Sequence, residues 1–304
     1  MSDINIYADQ TAIDALTPIT GDVVLRASDN AVLLYNGSAW KEFQPDAGPF
    51  ANAYSVDLDG SNDYIDCGGN ADFSFTDGAG NDSAFSISAW VKLDSNNRAR
   101  VVGKGNMEWL FGTDADSKFS IHLWGADGTG NFLASRETSQ LSTGTWHHLV
   151  VTYDGSNTAG GINLYRAGSL VTMQDMSTGT YAGMASQQGS LRLGQWELNG
   201  SVMEGLIDEV SVFDYELTSS QVASLSSADN TQPADISSLS PLGWWRMGEN
   251  DGGTGDTITD QGVDANGNPS GNDGTLMNAA DVYSATTDPN PDGAGPDFSS
   301  NIPS

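Results

Sequence analysis

Two adjacent acids, Asp208 and Glu209, stand inside an otherwise apolar run of the segment NGSVMEGLIDEVSVFDYELTSSQV, residues 199–222. On the two-residue period of a strand, Leu206, Asp208, Val210 and Val212 point one way. Ile207, Glu209, Ser211 and Phe213 point the other, so neither carboxylate has a plainly wet face. A carboxylate buried without a partner is costly, and buried charges are paired or bind metal. Basic partners are scarce, with 11 Lys and Arg against 40 Asp and Glu. A bound cation is therefore at least as good a partner as a basic side chain, and calcium suits oxygen ligands best. The alternative is an arginine bridge, or an edge strand that faces solvent.

Composition points to an all-β chain. Thirty-six Gly and ten Pro, with many Ser, Thr, Asn and Asp, favour short strands joined by tight turns. A net charge of −29 argues against binding nucleic acid or an anionic membrane through general attraction. It suits a soluble surface in a salt-rich, calcium-containing medium, where screening relieves self-repulsion. Cys67 is the single cysteine. No intrachain disulfide or cysteine-based zinc site is possible, and Cys67 reads as a small buried residue. No window is long and apolar enough for a transmembrane helix, so membrane insertion is not expected. The opening MSDINIYADQ lacks the basic and apolar parts of a signal peptide.

Residues 1–43 read as a small N-terminal α+β module for attachment or oligomerisation. A short helix is expected at 9–16 and strands near 22–26, 31–35 and 39–43, with turns between them. So few residues bury little core, and the module is expected to lean on another subunit or a virion surface, with a plain β-meander packed on its own sandwich as the alternative. Residues 44–53 (QPDAGPFANA) read as a linker. Residues 54–227 read as the jelly-roll region, in which 85–93 alternates as a half-buried strand should. Phe85, Ile87, Ala89, Val91 and Leu93 form one set, and Trp90, which falls with the polar set, is expected to pack under a neighbouring loop. Residues 228–280 hold a second Trp-rich piece, and 281–304 are too polar and Pro/Gly-rich to fold alone.

Five ordered motifs carry a family resemblance: YSVDLDGSNDYIDCG (54–68), FSISAWVKL (85–93), TWHHLVVTYDG (145–155), INLYRAGSLV (162–171) and SLRLGQW (190–196), followed by the acid strand. Together they resemble a laminin-G-like, concanavalin A-like jelly-roll sandwich. GWWRMGEN and NDGTLMN resemble the strand and turn that open other members, yet here they come last. The order resembles a circular permutation, so 228–280 is expected to complete the sandwich, with one of Trp244 and Trp245 inside it and the other on a sheet face. The N-terminal GDVVLRASDNAVLLYNGSAWKEF resembles segments of marine bacteriophage tail-fibre and appendage proteins. That resemblance implies a virion location, other virion proteins and host-surface glycans as partners, and a homo-oligomer, with a trimer by family analogy.

The resemblance also places the DGSND turn near the strand of Asp208. The expected metal set is therefore Asp59, Asn62, Asp63 and Asp208 around calcium, with Asx-turn capping as the alternative at the turn. Trp109, Trp124 and Trp196 adjoin Gly-rich loops and are the expected glycan-stacking residues, with plain packing as the alternative. No catalytic residue is expected. In EGLIDE the spacing puts Glu204 and Asp208 on one face and Glu209 on the other, so a strand does not aim all three at one sugar. His147 and His148 are adjacent and point apart, and no nucleophile elbow, phosphate loop or zinc-ligand spacing occurs. The expected function is a non-enzymatic virion structural or adhesion protein. The alternative is a bacterial cell-surface or secreted carbohydrate-binding module, and a glycoside hydrolase comes third.

Overall fold

Phe85, Ile87, Ala89, Val91 and Leu93 of the strand Phe85–Leu93 all enter one apolar interior, as their spacing requires. The computed structural model describes residues 5–7, 10–18, 23–26, 31–35, 40–42, 50, 52–126, 130–186, 189–197, 201–249, 253, 255–278, 297–299 and 301–303. The chain divides into two units, 1–51 and 52–304.

The second unit is a jelly-roll sandwich of two antiparallel sheets. The eight-stranded sheet runs in space Ser169–Leu170, Ile162–Arg166, Trp146–Tyr153, Phe85–Leu93, Glu204–Phe213, Ser55–Asp59 and Asp297–Ser299. Gly243–Trp245 also pairs with Glu204–Phe213. The nine-stranded sheet runs Met173–Asp175, Phe132–Glu137, Phe119–Trp124, Trp109–Thr113, Arg100–Lys104, Leu191–Leu193, Tyr64–Asp66, Gly274–Met277 and Thr257–Ile258. Between them lies a continuous core in which Phe75 stacks on Phe85 at 4.5 Å and Phe85 packs on Trp109 at 5.9 Å.

The C-terminal segment supplies strands to both sheets of its own chain. Gly243–Trp245 pairs with Val210–Val212, and Gly274–Met277 pairs with Tyr64–Asp66. Trp245 enters the core and donates Nε1–H to the Asn272 carbonyl at 2.9 Å. Trp244 lies outside that core and donates to Glu209. Part of the polar tail joins the sandwich by pairing with it. Asp297–Ser299 pairs with Ser55–Asp57, and Ser55 Oγ donates to the Asn301 carbonyl at 2.9 Å. A short polar strand is stable there because an existing sheet edge supplies its hydrogen bonds. Residues 281–296 lie outside the described residues.

The other face of the eight-stranded sheet is covered as well. The helix Ser219–Ser224 starts in a capping box between Thr218 and Gln221, and Leu225, Pro233, Ala234 and Ile236 close over Ser88, Trp90, Glu209 and Ser211. Trp90 is buried there, stacked on His148 at 4.9 Å.

In the first unit, Asn5–Tyr7 pairs in parallel with Val23–Arg26, which continues antiparallel into Ala31–Tyr35 and Trp40–Glu42. The helix Gln10–Asp14 provides the crossover, and Ile13, Val24 and Leu33 form a small core with Leu16 beside it. Most of the expected linker, 44–49 and 51, lies outside the described residues.

Candidate functional site

The acid strand does not keep its alternation. Asp208 pairs with Trp90, and the next matched pair is Ser211 with Ser88, so Glu209 and Val210 together oppose one residue. This is a β-bulge, with Glu209 in the left-handed region at φ 44. The bulge resets the phase, so Ile207, Val210 and Val212 enter the core and Asp208 faces away from it. The expectation that Asp208 shares a side with Val210 and Val212 is corrected for that reason.

On the far side of the sheet, Asp208, Glu209 and Glu249 each bring one carboxylate oxygen within 4.8 Å of the others. Glu209 is well satisfied: Arg246 Nε donates to Oε1 at 2.8 Å and Trp244 Nε1 to Oε2 at 2.6 Å. Asp208 accepts from the Glu209 amide at 2.7 Å and from Asn52 Nδ2 at 2.9 Å. Glu249 Oε1 accepts from the Ala53 and Tyr54 amides, at 2.7 and 2.9 Å. Two buried oxygens, Asn52 Oδ1 and Glu249 Oε2, have no donor among the described residues.

Burial first, then Glu209 and Glu249, pushes the Asp208 carboxyl well up. Burial lifts Glu209 to about 7 despite Arg246, and raises Glu249 too. With all three ionised, Arg246 leaves the cluster two charges short of neutrality. Orphaned oxygens beside surplus negative charge fit a hard cation, which takes oxygen ligands from carboxylates, amide carbonyls and water.

The DGSND turn is not part of this cluster. Asp59 pairs with Glu204, four residues along the strand from Asp208, about 13 Å at the usual rise. Asp59 Oδ1 accepts from the Ser61 and Asn62 amides at 2.7 and 3.3 Å, and Asp63 Oδ2 from the Asp59 amide at 3.2 Å. The expected joint site of Asp59, Asn62, Asp63 and Asp208 is therefore corrected: the turn is capped by its own amides, and Asp208 meets Glu209, Glu249 and Asn52 instead.

A second constellation lies on the outer face of the nine-stranded sheet. His122 and Trp124, two apart on one strand, face outward together, their rings stacked at 5.6 Å. Trp124 stacks on Trp196 at 5.0 Å and 19°. Leu110 packs beneath them, Met107 and Phe132 are half-buried at the margin, and Phe132 comes within 5.4 Å of His122. The Arg100 guanidinium sits 5.2 Å over the Trp196 ring. Burial first and then the Arg100 charge depress His122 to about 4, so its ring is neutral near pH 7. The structure thus brings Trp124 and Trp196 together and leaves Trp109 out. Trp109 is fully buried in the core, with Nε1–H donated to the Phe73 carbonyl at 2.9 Å, because it falls on the inward phase of its strand. Its expected ligand role is corrected.

Sequence reasoning passed over Asn52, Glu249, Arg100 and Phe132. The SIHLW alternation was the available signal for His122 and Trp124. Glu249 and Asn52 carry no local signal, since only the pairing of Gly243–Trp245 brings Glu249 to the acid strand.

Residues 59–223, more than half of the chain, match the family described as the concanavalin A-like lectin/glucanases superfamily, Laminin_G_3. The chain belongs to this superfamily. Among solved structures, a candidate carbohydrate-binding protein from Bacteroides ovatus is similar at 18% identity with a TM-score of 0.52, covering 88% of this chain and 70% of that one. The superfamily fold is thus shared over most of both chains. A heptameric SAP-like pentraxin from Limulus polyphemus aligns at 13% identity and TM-score 0.41, over 60% of this chain and 86% of that one. The CBM40 of a Ruminococcus gnavus IT-sialidase, bound to α2,3 sialyllactose, aligns at 15% identity and TM-score 0.41, over 56% and 94%. No curated protein gives a significant match.

Proposed function

We propose that this chain is a non-enzymatic carbohydrate-binding module whose glycan rests on the outer face of the nine-stranded sheet. The observation that carries the reading is the aromatic cluster in which half-buried His122 and Phe132 are backed by the buried Trp124 and Trp196, 8% and 7% exposed. Flat apolar rings with polar edges are what sugar faces pack against, and a rigid sheet holds them at no further ordering cost. Two acids of this sheet are tied up in ion pairs, Asp114 with Arg136 at 2.5 Å and Asp66 with Arg192 at 3.6 Å. The buried Asp208 and Glu209 lie on the other sheet, away from the aromatic cluster. A glycosidase needs two accessible carboxyls flanking one bond. Superfamily membership supports carbohydrate binding without reference to a particle. A carbohydrate-binding module therefore replaces the virion role as the leading reading.

The test is a glycan array followed by calorimetry on its hits. Phe132→Ala and His122→Ala, at half-buried positions, are expected to weaken binding at least tenfold with little loss of stability. Full binding by both variants, or release of free sugar by the unaltered protein, counts against the reading.

We further propose calcium as the structural partner of Asp208, Glu249 and Asn52. Bound there, the ion supplies the missing positive charge and ties the start of the sandwich to the acid strand. The expected result of chelation is a lower thermal midpoint, since a ligand of the folded state alone stabilises it. Equal midpoints in calcium and in chelator contradict the site.

A further inference from the structure

The arginines of the sandwich divide into two kinds. Arg136 meets Asp114, Arg166 meets Glu137 at 3.0 Å, Arg192 meets Asp66, and Arg246 meets Glu209. Arg98 is exposed. Arg100 is buried, only 6% exposed, and among the described residues no carboxylate reaches it, in a chain with 40 acids. Burying an unpaired guanidinium is costly, and in this protein it is an exception. Burial and the neighbouring Arg98 lower its pKa to about 10, the opposite of what an anionic partner does, though it stays charged at neutral pH.

Its surroundings point to what is missing. Arg100 Nε is buried with no acceptor among the described residues, and so is Nε1–H of Trp196, the ring beneath the guanidinium. Two buried donors side by side, one on a cation, call for a group with several acceptor oxygens and negative charge. Arg100 pairs across to Gly112, Gly112 to Ser120 and Ser120 to Arg136, so the two arginines stand in one row of this sheet, with the Ala99 backbone lying over Gly112. Arg136 is already held by Asp114, which leaves Arg100 as the free end of that row.

We infer that Arg100 and Trp196 form an oxyanion subsite, and that the glycan taken by this face is anionic, bearing a carboxylate or a sulfate ester. The inference rests on the carbohydrate-binding reading of the same face and specifies its ligand class. Guanidinium binds either oxyanion through paired N–H donors, and its position over the Trp196 ring preorganises it. The net charge of −29 opposes a polyanion at low ionic strength. At 0.15 M salt the Debye length is about 8 Å, so distant acids are screened while a desolvated contact at Arg100 is screened much less.

The experiment uses the full chain and three oligosaccharides of galactose configuration: neutral galactan, oligogalacturonate and sulfated galactan, titrated at 0.15 M salt. The unaltered protein is expected to bind at least one anionic oligomer tenfold or more tighter than the neutral one. Which anionic oligomer wins identifies the oxyanion. Arg100→Met, which keeps the stem on Trp196, should erase that preference, and Arg100→Lys should recover only part of it. The comparison on the unaltered protein needs no variant, so it decides even if Arg100→Met does not fold. Equal affinity for charged and neutral oligomers, or an undiminished preference in Arg100→Met, overturns the oxyanion subsite and leaves glycan binding standing. Failure of all three on the unaltered protein overturns the subsite, and with no hit on a wider array the carbohydrate-binding reading falls too.

Discussion

At the scale of single residues, the acid cluster makes a prediction whose sign depends on calcium. Asp208 is raised by burial and by two neighbouring carboxylates, so in chelator at pH 7.5 Asp208→Asn removes a repelling charge while keeping the shape. Its midpoint there is expected to equal or exceed that of the unaltered protein. In excess calcium the order should reverse, because the variant loses a ligand. An ion at 100 times its Kd is worth about 2.7 kcal/mol. Paired melting curves read this crossing, and curves that keep the same order in both buffers would refute the cation site. His148 gives a separate pH effect. Burial lowers its pKa to about 3, with Nε2 within 2.9 Å of Ser88 Oγ and Nδ1 buried without a partner among the described residues. The folded pKa lies below the ordinary value near 6.5, so between them the unfolded chain binds more protons. Stability from this group is complete above about 6.5 and falls by about 1.4 kcal/mol for each pH unit below it, until the folded value is reached. His148→Phe keeps an aromatic ring beside Trp90 and cannot titrate. Its denaturant midpoints from pH 6.5 to 4 should fall less steeply than those of the unaltered protein, and parallel slopes would assign the acid sensitivity elsewhere.

At the scale of elements, the strand Glu204–Phe213 holds both the most legible and the least legible parts of the molecule. Its existence follows from its apolar run, and Trp146–Tyr153 and Ile162–Arg166 fall within motifs that carry the family resemblance, whereas its place beside Phe85–Leu93 is given by no local pattern. The bulge was not legible. A glutamate at positive φ is costly by itself, and what holds it there is Arg246 and Trp244, which lie 35 or more residues away. One skipped residue then reversed which side chains face the core, which is why alternation placed Asp208 wrongly. Second in the same strand is Gly205, with φ 127, where a Cβ would lie 2.1 Å from the Lys92 carbonyl oxygen. Gly205→Ala is expected to cost roughly 2 kcal/mol or more, since strained backbone and a fixed neighbour add. Chemical denaturation measures it, and a neutral result would show that the backbone at Lys92 shifts freely. Truncation after Ser227 removes Gly243–Trp245 and Gly274–Met277, empties the fully buried Trp245 site and leaves Tyr64–Asp66 unpaired on one side. Aggregation is the expected outcome. A soluble product that melts like the full chain would make the C-terminal strands an accessory.

At the scale of the whole molecule, charge is the property that composition states and no single contact explains. Eleven bases serve 40 acids, and the described bases of the sandwich are largely committed: Arg136, Arg166, Arg192 and Arg246 to carboxylates and Lys104 to the Gly189 carbonyl. Most acids therefore face water and one another, and those in turns are satisfied by their own amides, as at Asp77, Asp114 and Asp264. Self-repulsion of this kind destabilises the compact state and is relieved by screening. Raising sodium chloride from about 0.01 M to 0.3 M should shorten the Debye length from about 30 Å to less than 8 Å. The thermal midpoint is expected to climb by several degrees over that range and then flatten. The climb should be present in chelator, which separates it from the calcium effect. It should also persist in Asp208→Asn, because the acids responsible are spread over the surface. A midpoint that falls with salt would mean that the surviving ion pairs contribute more than the repulsion costs. In that case the commitment of the arginines, rather than the surplus of acids, would set the stability of the sandwich.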